Sequence, residues 1–354
     1  MNNLVSYIKC DSIVKQYAKE FLNVENIVDD KYQHFVTRLN ECPRFKEVAA
    51  AYWNKDMFSA GKKHLNQILE LLRDKDYKKL IQDIKQGDPK GFCDEFIKVD
   101  REAAAFVFSM MKAVSYVSIF LRNHVNISKQ TLELFSEVFN NETVTNLIKQ
   151  TVENKNLQDL EGTACMNTLG YMLYVKKLRS ELIDVSLEEI ESAFVKVFAI
   201  YRDKCKEYYR KHILTLDLTE SQVHNIIYGL THGVINCSDF YVKNPWDTKN
   251  SDIKSLLRSS YRILYTILRT SKSVDYKNLN ADALAEILLC LKMLDPEWKT
   301  TPTFADALYK LEGYFDYESH IMVNQNDDKS LASNEHTNIL YIMVHNWDVP
   351  EIQK

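Results

Sequence analysis

The chain is short of the residues that make tight turns. Glycine occurs 8 times and proline 6 times in 354 residues, against a usual share of about 12% for the pair. So few turn formers exclude a fold of many short hairpins and strand connections. A cysteine framework is lacking too. The seven cysteines, at positions 10, 42, 93, 165, 205, 237 and 290, are odd in number, scattered and never spaced as C-x-x-C. They read as reduced, mostly buried thiols of a cytoplasmic protein. No P-loop, dinucleotide fingerprint, nucleophile elbow or kinase signature occurs, which disfavours nucleotide-driven chemistry. Charge of one sign is also missing. A formal net charge of −4 gives no general attraction to nucleic acid or to an anionic membrane. The most apolar stretch, Ala103 to Leu121, carries Lys112, and reads as a central helix buried among others rather than a membrane span. The segment MNNLVSYIKCDSIVKQYAKEFL alternates charged and apolar residues at helical spacing, unlike a secretory signal.

What the chain does have is hydrophobic content of 45%, enough for a substantial core, and long stretches of apolar residues at helical spacing. The pattern predicts an all-α protein of antiparallel helical hairpins, toroid-like or solenoid-like, without significant sheet. Helices are expected near 2–22, 26–41, 45–52, 56–73, 76–86, 91–98, 100–124, 128–139 and 141–153. A longer series follows near 157–180, 186–212, 219–241, 250–271, 280–294, 303–319 and 334–346. Ser186, Thr219 and Asn280 stand where N-caps belong, and Asp282 sits where an acid complements the helix dipole. Proline after Tyr241 and after Leu294 marks two stops. The chain divides on this reading into an N-terminal helical region, 1–154, and a C-terminal helical-hairpin region, 155–354. No 34- or 40-residue repeat recurs.

The segment from Thr219 to Tyr241, TESQVHNIIYGLTHGVINCSDFY, is the most informative. At 100° per residue Val223, Ile226, Ile227, Leu230, Val234, Cys237 and Tyr241 form one apolar face. Opposite them fall His224, Tyr228, His232 and Asp239, with Asn225 and Asn236 beside them. An outer helix more often shows Lys and Glu there. Imidazole, phenol and carboxylate are groups that bind ligands and move protons, so this face is expected to line a cavity. Gly229 and Gly233 would let a neighbouring helix come close. The plainer reading, a structural hydrogen-bond network, competes with this one.

Other candidates are weaker. His224 and His232 stand two turns apart and cannot share an ion as an i, i+4 pair would; His320, His336 or His345 would have to supply a third ligand, and no metal or cofactor is expected. Asp29 and Asp30, and Asp327 and Asp328, invite comparison with aspartate-rich magnesium motifs but lack the full acidic spacing. The basic, aromatic segment YRDKCKEYYRKH, 201–212, reads as a solvated helix end complementing its dipole.

At YGLTHGVINCSDF, residues 228–240, Leu-Thr-His followed by Ser-Asp-Phe resembles a signature of uncharacterised all-helical bacterial proteins linked with peptide natural-product gene clusters. The resemblance extends in part to 281–294 and to the His336 helix, and covers nothing in residues 1–150. It implies an α/α toroid-like domain with Thr231, His232 and Asp239 at family positions, and it supplies no reaction. Two functions stay open. One is an enzyme or accessory factor of peptide or natural-product biosynthesis, with His232 as acid/base, Asp239 as its electrostatic partner, and His224, Tyr228, Thr231 and Asn236 binding the ligand. The other is a non-catalytic helical scaffold for a peptide or protein partner. Neither nucleic acid nor membrane is an expected partner.

Overall fold

The computed structural model describes residues 2–21, 30–53, 162–178, 180, 183–295, 297–324 and 328–352. The helices expected between 56 and 153, the 154/155 division and the strongly apolar stretch from Ala103 lie outside the described residues. Ten α-helices are described: α1 (Asn2–Phe21), α2 (Asp30–Asn40), α3 (Lys46–Trp53), α4 (Gly162–Leu178), α5 (Leu187–Lys211), α6 (Glu220–Cys237), α7 (Ser251–Ser271), α8 (Ala281–Leu294), α9 (Pro302–Glu312) and α10 (Leu331–Asn346). The protein is mostly helical, as expected. Among the described residues, no helix is long and apolar enough to cross a membrane.

The chain folds into two compact units, one of Met1–Met57 with Arg202–Lys354 and one of Phe58–Tyr201. In the second, α4 is buried from Met166 to Val175. Its end is held by Lys176, whose Nζ donates to the carbonyls of Ser180 and Ile183, both at 2.8 Å. Ser186 begins α5 with a reciprocal cap: the Glu189 amide donates to Ser186 Oγ at 3.2 Å, and Glu189 Oε2 accepts from the Ser186 amide at 2.9 Å.

The first unit centres on α8, which touches α6, α7, α9 and α10. All fourteen of its residues are buried, which explains why ADALAEILLCLKML is apolar almost all round rather than along one stripe. Side-chain caps set the helix starts. Thr219 and Gln222 form a capping box on α6; Asn250 accepts from the amides of Asp252 and Ile253 at 3.0 and 3.2 Å; Asn280 accepts from the Ala283 amide at 2.9 Å. Each satisfies backbone NH groups that have no partner within the helix.

The helix expected over 334–346 begins three residues earlier, at Leu331, and two helix ends differ more widely from expectation. The helix expected over 303–319 stops at Glu312, and Phe315–Asp316 pairs antiparallel with Ile321–Met322 in a two-stranded ribbon. The buried Asn338 of α10 replaces a third strand: its Oδ1 accepts from the Met322 amide and its Nδ2 donates to the Met322 carbonyl, both at 2.8 Å. A pair of strands that cannot satisfy its own edge is completed by one amide side chain. The helix expected to reach Tyr241 ends at Cys237. There Ser238 Oγ accepts from the Tyr241 amide at 2.8 Å, and Asp239, Phe240 and Tyr241 take φ of 49°, 57° and 72°. Three successive non-glycine residues in the left-handed region cost about 1–2 kcal/mol each. Packing holds them: Arg38 Nη1 donates to the Phe240 carbonyl at 3.0 Å, and Trp347 Nε1 donates to the Tyr241 carbonyl at 3.2 Å.

Candidate functional site

Four helices of the first unit bring their polar residues to one place. From α6 come His224, Tyr228 and His232 in steps of one turn, their ring centroids 5.6 and 6.3 Å apart. The facing helix α8 supplies Asp282 and Glu286, also one turn apart, so both carboxylates share a face. His336 and Thr337 come from α10, and His34 and Arg38 from α2. Asn280, as the cap of α8, fixes Asp282 within the first turn.

Asp282 is fully engaged. Its Oδ1 lies 2.8 Å from His336 Nδ1 and accepts from Thr337 Oγ1 at 2.8 Å, while its Oδ2 accepts from Tyr228 OH at 2.5 Å. Burial alone would raise its pKa, but the His336 charge and these three donors outweigh burial and hold the carboxyl well below its usual range. Burial likewise acts to lower His336, and the Asp282 carboxylate reverses this, pushing the imidazole up to about 10. The two form an ion pair at neutral pH.

Glu286 is different. It is 0% exposed; Oε1 accepts from Thr231 Oγ1 and lies 3.5 Å from His232 Nε2, while Oε2 is buried without a hydrogen-bond partner. A buried acceptor left unmatched costs about 1–3 kcal/mol. Burial raises the Glu286 pKa to about 7, with the Asp282 charge acting in the same direction. His232, beside it, is driven the other way, to about 3, by burial first and then by the His336 charge, so its imidazole is neutral. A carboxyl poised near neutrality therefore lies beside a neutral imidazole in the α6–α8 interface, and of the two it is the carboxyl that is suited to acid–base work near neutral pH.

Solvent reaches this cluster at His336 and His34, whose side chains are 38% and 26% exposed. Their rings stack at 5.5 Å, and His34 Nδ1 lies 3.0 Å from Glu335 Oε1. At the other end, His224 Nδ1 lies 3.4 Å from Asn280 Nδ2 and its Nε2 is buried without a partner. Next to it a cavity of about 140 Å³ is lined by His212, Glu220, Val223, Lys277, Asn278 and Asn280, among others.

The residues expected from the sequence fare unevenly. His224, Tyr228, Thr231 and His232 meet at the α6–α8 interface. Their row packs onto α8, and the cavity just described lies at the amino end of the row. Asn236 is buried further along α6. Asp239 lies beyond the end of the helix, in the left-handed turn, with its Oδ2 3.1 Å from Lys243 Nζ; the carboxylate that faces His232 across the interface is Glu286. His320 lies in the ribbon's turn, 3.3 Å from Ser12 Oγ, and the His345 ring packs on Tyr341. Asp328 organises the start of α10, accepting from the Ser330 amide at 2.9 Å. Asp29, Asp327 and the Asp30 side chain lie outside the described residues. In the basic segment, Tyr208 and Cys205 are buried while Lys211 pairs with Glu207 at 2.8 Å, so its charges form a solvated face.

Sequence reasoning missed Glu286 and gave Asp282 too small a part, as a complement to the helix dipole. The signal for Glu286 was a lone carboxylate inside LAEILLCL, where burial of every neighbour makes a charge costly. Asp282, Glu286 and His336 each offer one ligand atom, and those atoms lie within 4.8 Å of one another. No family model, curated protein or solved structure matches the chain.

Proposed function

We propose that this protein is an acid–base enzyme or ligand-binding accessory factor whose reaction centre is the α2–α6–α8–α10 junction. Glu286 exchanges a proton with a small polar ligand admitted past His336 and His34. His232 stays neutral beside it, 3.5 Å away, and Tyr228, Asp282 and Thr337 hold His336 in place. One observation carries this reading: Glu286 is wholly buried, with one oxygen held by Thr231 and the other unmatched. A carboxylate kept for stability alone would have both oxygens satisfied or be replaced by an apolar residue of similar volume. A non-catalytic peptide scaffold leaves it unexplained. The resemblance at residues 228–240 extends the proposal to a peptide-derived ligand.

The test compares the wild-type chain with Glu286→Gln. Native mass spectrometry of protein purified from cells under non-denaturing conditions is expected to find a small-molecule adduct on wild type that the variant lacks. The variant should unfold at the same temperature as wild type or higher, because sites that serve function sacrifice stability. A lower melting temperature in Glu286→Gln would assign the residue to the structural network instead.

A further inference from the structure

We propose that Asp282, Glu286 and His336 bind one divalent transition-metal ion, a step that rests on reading the junction as a reaction centre. Two carboxylates one turn apart on α8 face an imidazole from α10, which is how metal sites in helical bundles are built, from inward side chains of facing helices. The three ligand atoms lie within 4.8 Å of one another, and the ion takes the place of the proton between His336 Nδ1 and Asp282 Oδ1, 2.8 Å apart; the ligands' protons leave to solvent, and with the ion bound Glu286 is a ligand and no longer the proton donor. Ligands around one ion at bond lengths of about 2.0–2.2 Å stand roughly 3–4 Å apart, so closing onto a metal needs a contraction of about 1 Å, within reach of side-chain rotation.

The residues around these three are arranged as supports for ligands. Each carboxylate is held by a hydroxyl from another helix: Asp282 by Tyr228 and Thr337, Glu286 by Thr231. The His336 ring is stacked on His34. Outer contacts of this kind orient the ligands of metal sites and fix their geometry. The second oxygen of Glu286, buried without a partner, is the acceptor that an ion would satisfy. The cationic Arg38 does not compete for the carboxylates, since Nη1 donates to the Phe240 carbonyl at 3.0 Å and its guanidinium lies over the Tyr241 ring at 4.8 Å. Entry is through His336, 38% exposed.

The donor set defines the class of ion. One imidazole with two carboxylates suits Mn(II), Fe(II), Co(II) or Zn(II). Calcium asks for six to eight oxygens, more than the cluster offers, and magnesium binds through carboxylates and water rather than imidazole. Cys290 donates toward the Thr231 carbonyl at 3.6 Å and belongs to the α6–α8 packing.

The full-length chain, stripped with a chelator and dialysed, is titrated with Co(II) and read by visible absorption, with Zn(II) and Mn(II) then used to displace the cobalt. The expected result is one Co(II) per chain with ligand-field bands. Asp282→Asn, Glu286→Gln and His336→Gln should each weaken binding at least tenfold, roughly the smallest loss seen even for outer contacts of metal sites. His320→Ala should leave it unchanged. Glu286→Gln keeps the side-chain volume and removes a buried charge, so it decides the question if Asp282→Asn does not fold. Undiminished cobalt binding in Glu286→Gln overturns the site, as does a wild-type chain that takes up no cobalt. The melting comparison of wild type and Glu286→Gln tests the acid–base reading separately, so either idea can fall without the other.

Discussion

Neighbouring helices α7 and α8 treat charge in opposite ways. Along α7, Ile253, Leu256, Leu257, Ile263, Leu264, Ile267 and Leu268 are buried at helical spacing, and Arg258, Arg262 and Arg269 point outward. Along α8 no residue is exposed, yet Asp282, Glu286 and Lys292 are all present. On the outer helix a charge needs only water. On the enclosed one each charge needs a partner, and the partners tell the three apart. Lys292 Nζ donates to the carbonyls of Met343 and Val344 at 3.3 and 2.8 Å, closing the carboxyl end of α10. Asp282 has its full set of donors. Glu286 has half of one, and that marks the amino-terminal half of α8 as the part shaped by something other than stability.

Substitutions along the two helices can break this contrast. The largest effect is expected at Asp282→Ala, which strands the His336 charge and leaves Tyr228 and Thr337 without their acceptor. The loss should be about 3–4 kcal/mol by urea denaturation, short of the ~5 of wholly buried pairs because His336 is 38% exposed. A loss below about 1 kcal/mol would show that the ion pair is not formed in solution.

Glu286→Gln should act in the opposite direction and depend on pH. The folded state holds the Glu286 proton up to about pH 7, whereas an ordinary glutamate releases it near 4.5. Wild type therefore bears no penalty in acid, a growing one as pH rises from about 5 to 7, and the full one above 7. The variant's advantage should be near zero at about pH 4.5 and reach up to about 3 kcal/mol at about pH 8. A difference that does not change with pH would place Glu286 in a wetter environment than the α6–α8 interface.

Lys292→Met comes next, with a loss of about 1–3 kcal/mol, chiefly at the Val344 carbonyl, since the Met343 carbonyl still accepts from the Trp347 amide at 3.0 Å. Arg262→Ala on the exposed face of α7 should change stability by no more than about 0.5 kcal/mol. If the α7 change matched the Lys292 loss, the distinction between outer and enclosed helix would fail.

The elements were largely legible. Ser186, Thr219 and Asn280 are caps where short polar residues preceded apolar runs, and the His224–Tyr228–His232 row was visible from its four-residue step. The ends of α6 and α9 were not. Ser238 stops α6 with its own hydroxyl, and the left-handed turn behind it is held by Arg38 and Trp347, residues about 200 and 100 positions away. The ribbon after α9 depends on Asn338 in the same manner. Of the candidate site, the α6 half was readable because one helix carries it. The α8 and α10 half was not, because Asp282, Glu286 and His336 look like a dipole complement, an odd acid and a lone histidine until three helices meet.

By itself, then, the sequence determined that the chain is mostly helical, where most described helices begin, and which face of α6 carries unusual chemistry, because caps, periodicity and turn formers act over a few residues. Only the tertiary structure decided which carboxylate faces His232. Glu286 lies more than fifty positions from it, and whether a buried acid is paired, strained or poised depends on the side chains that enclose it, which local spacing does not specify.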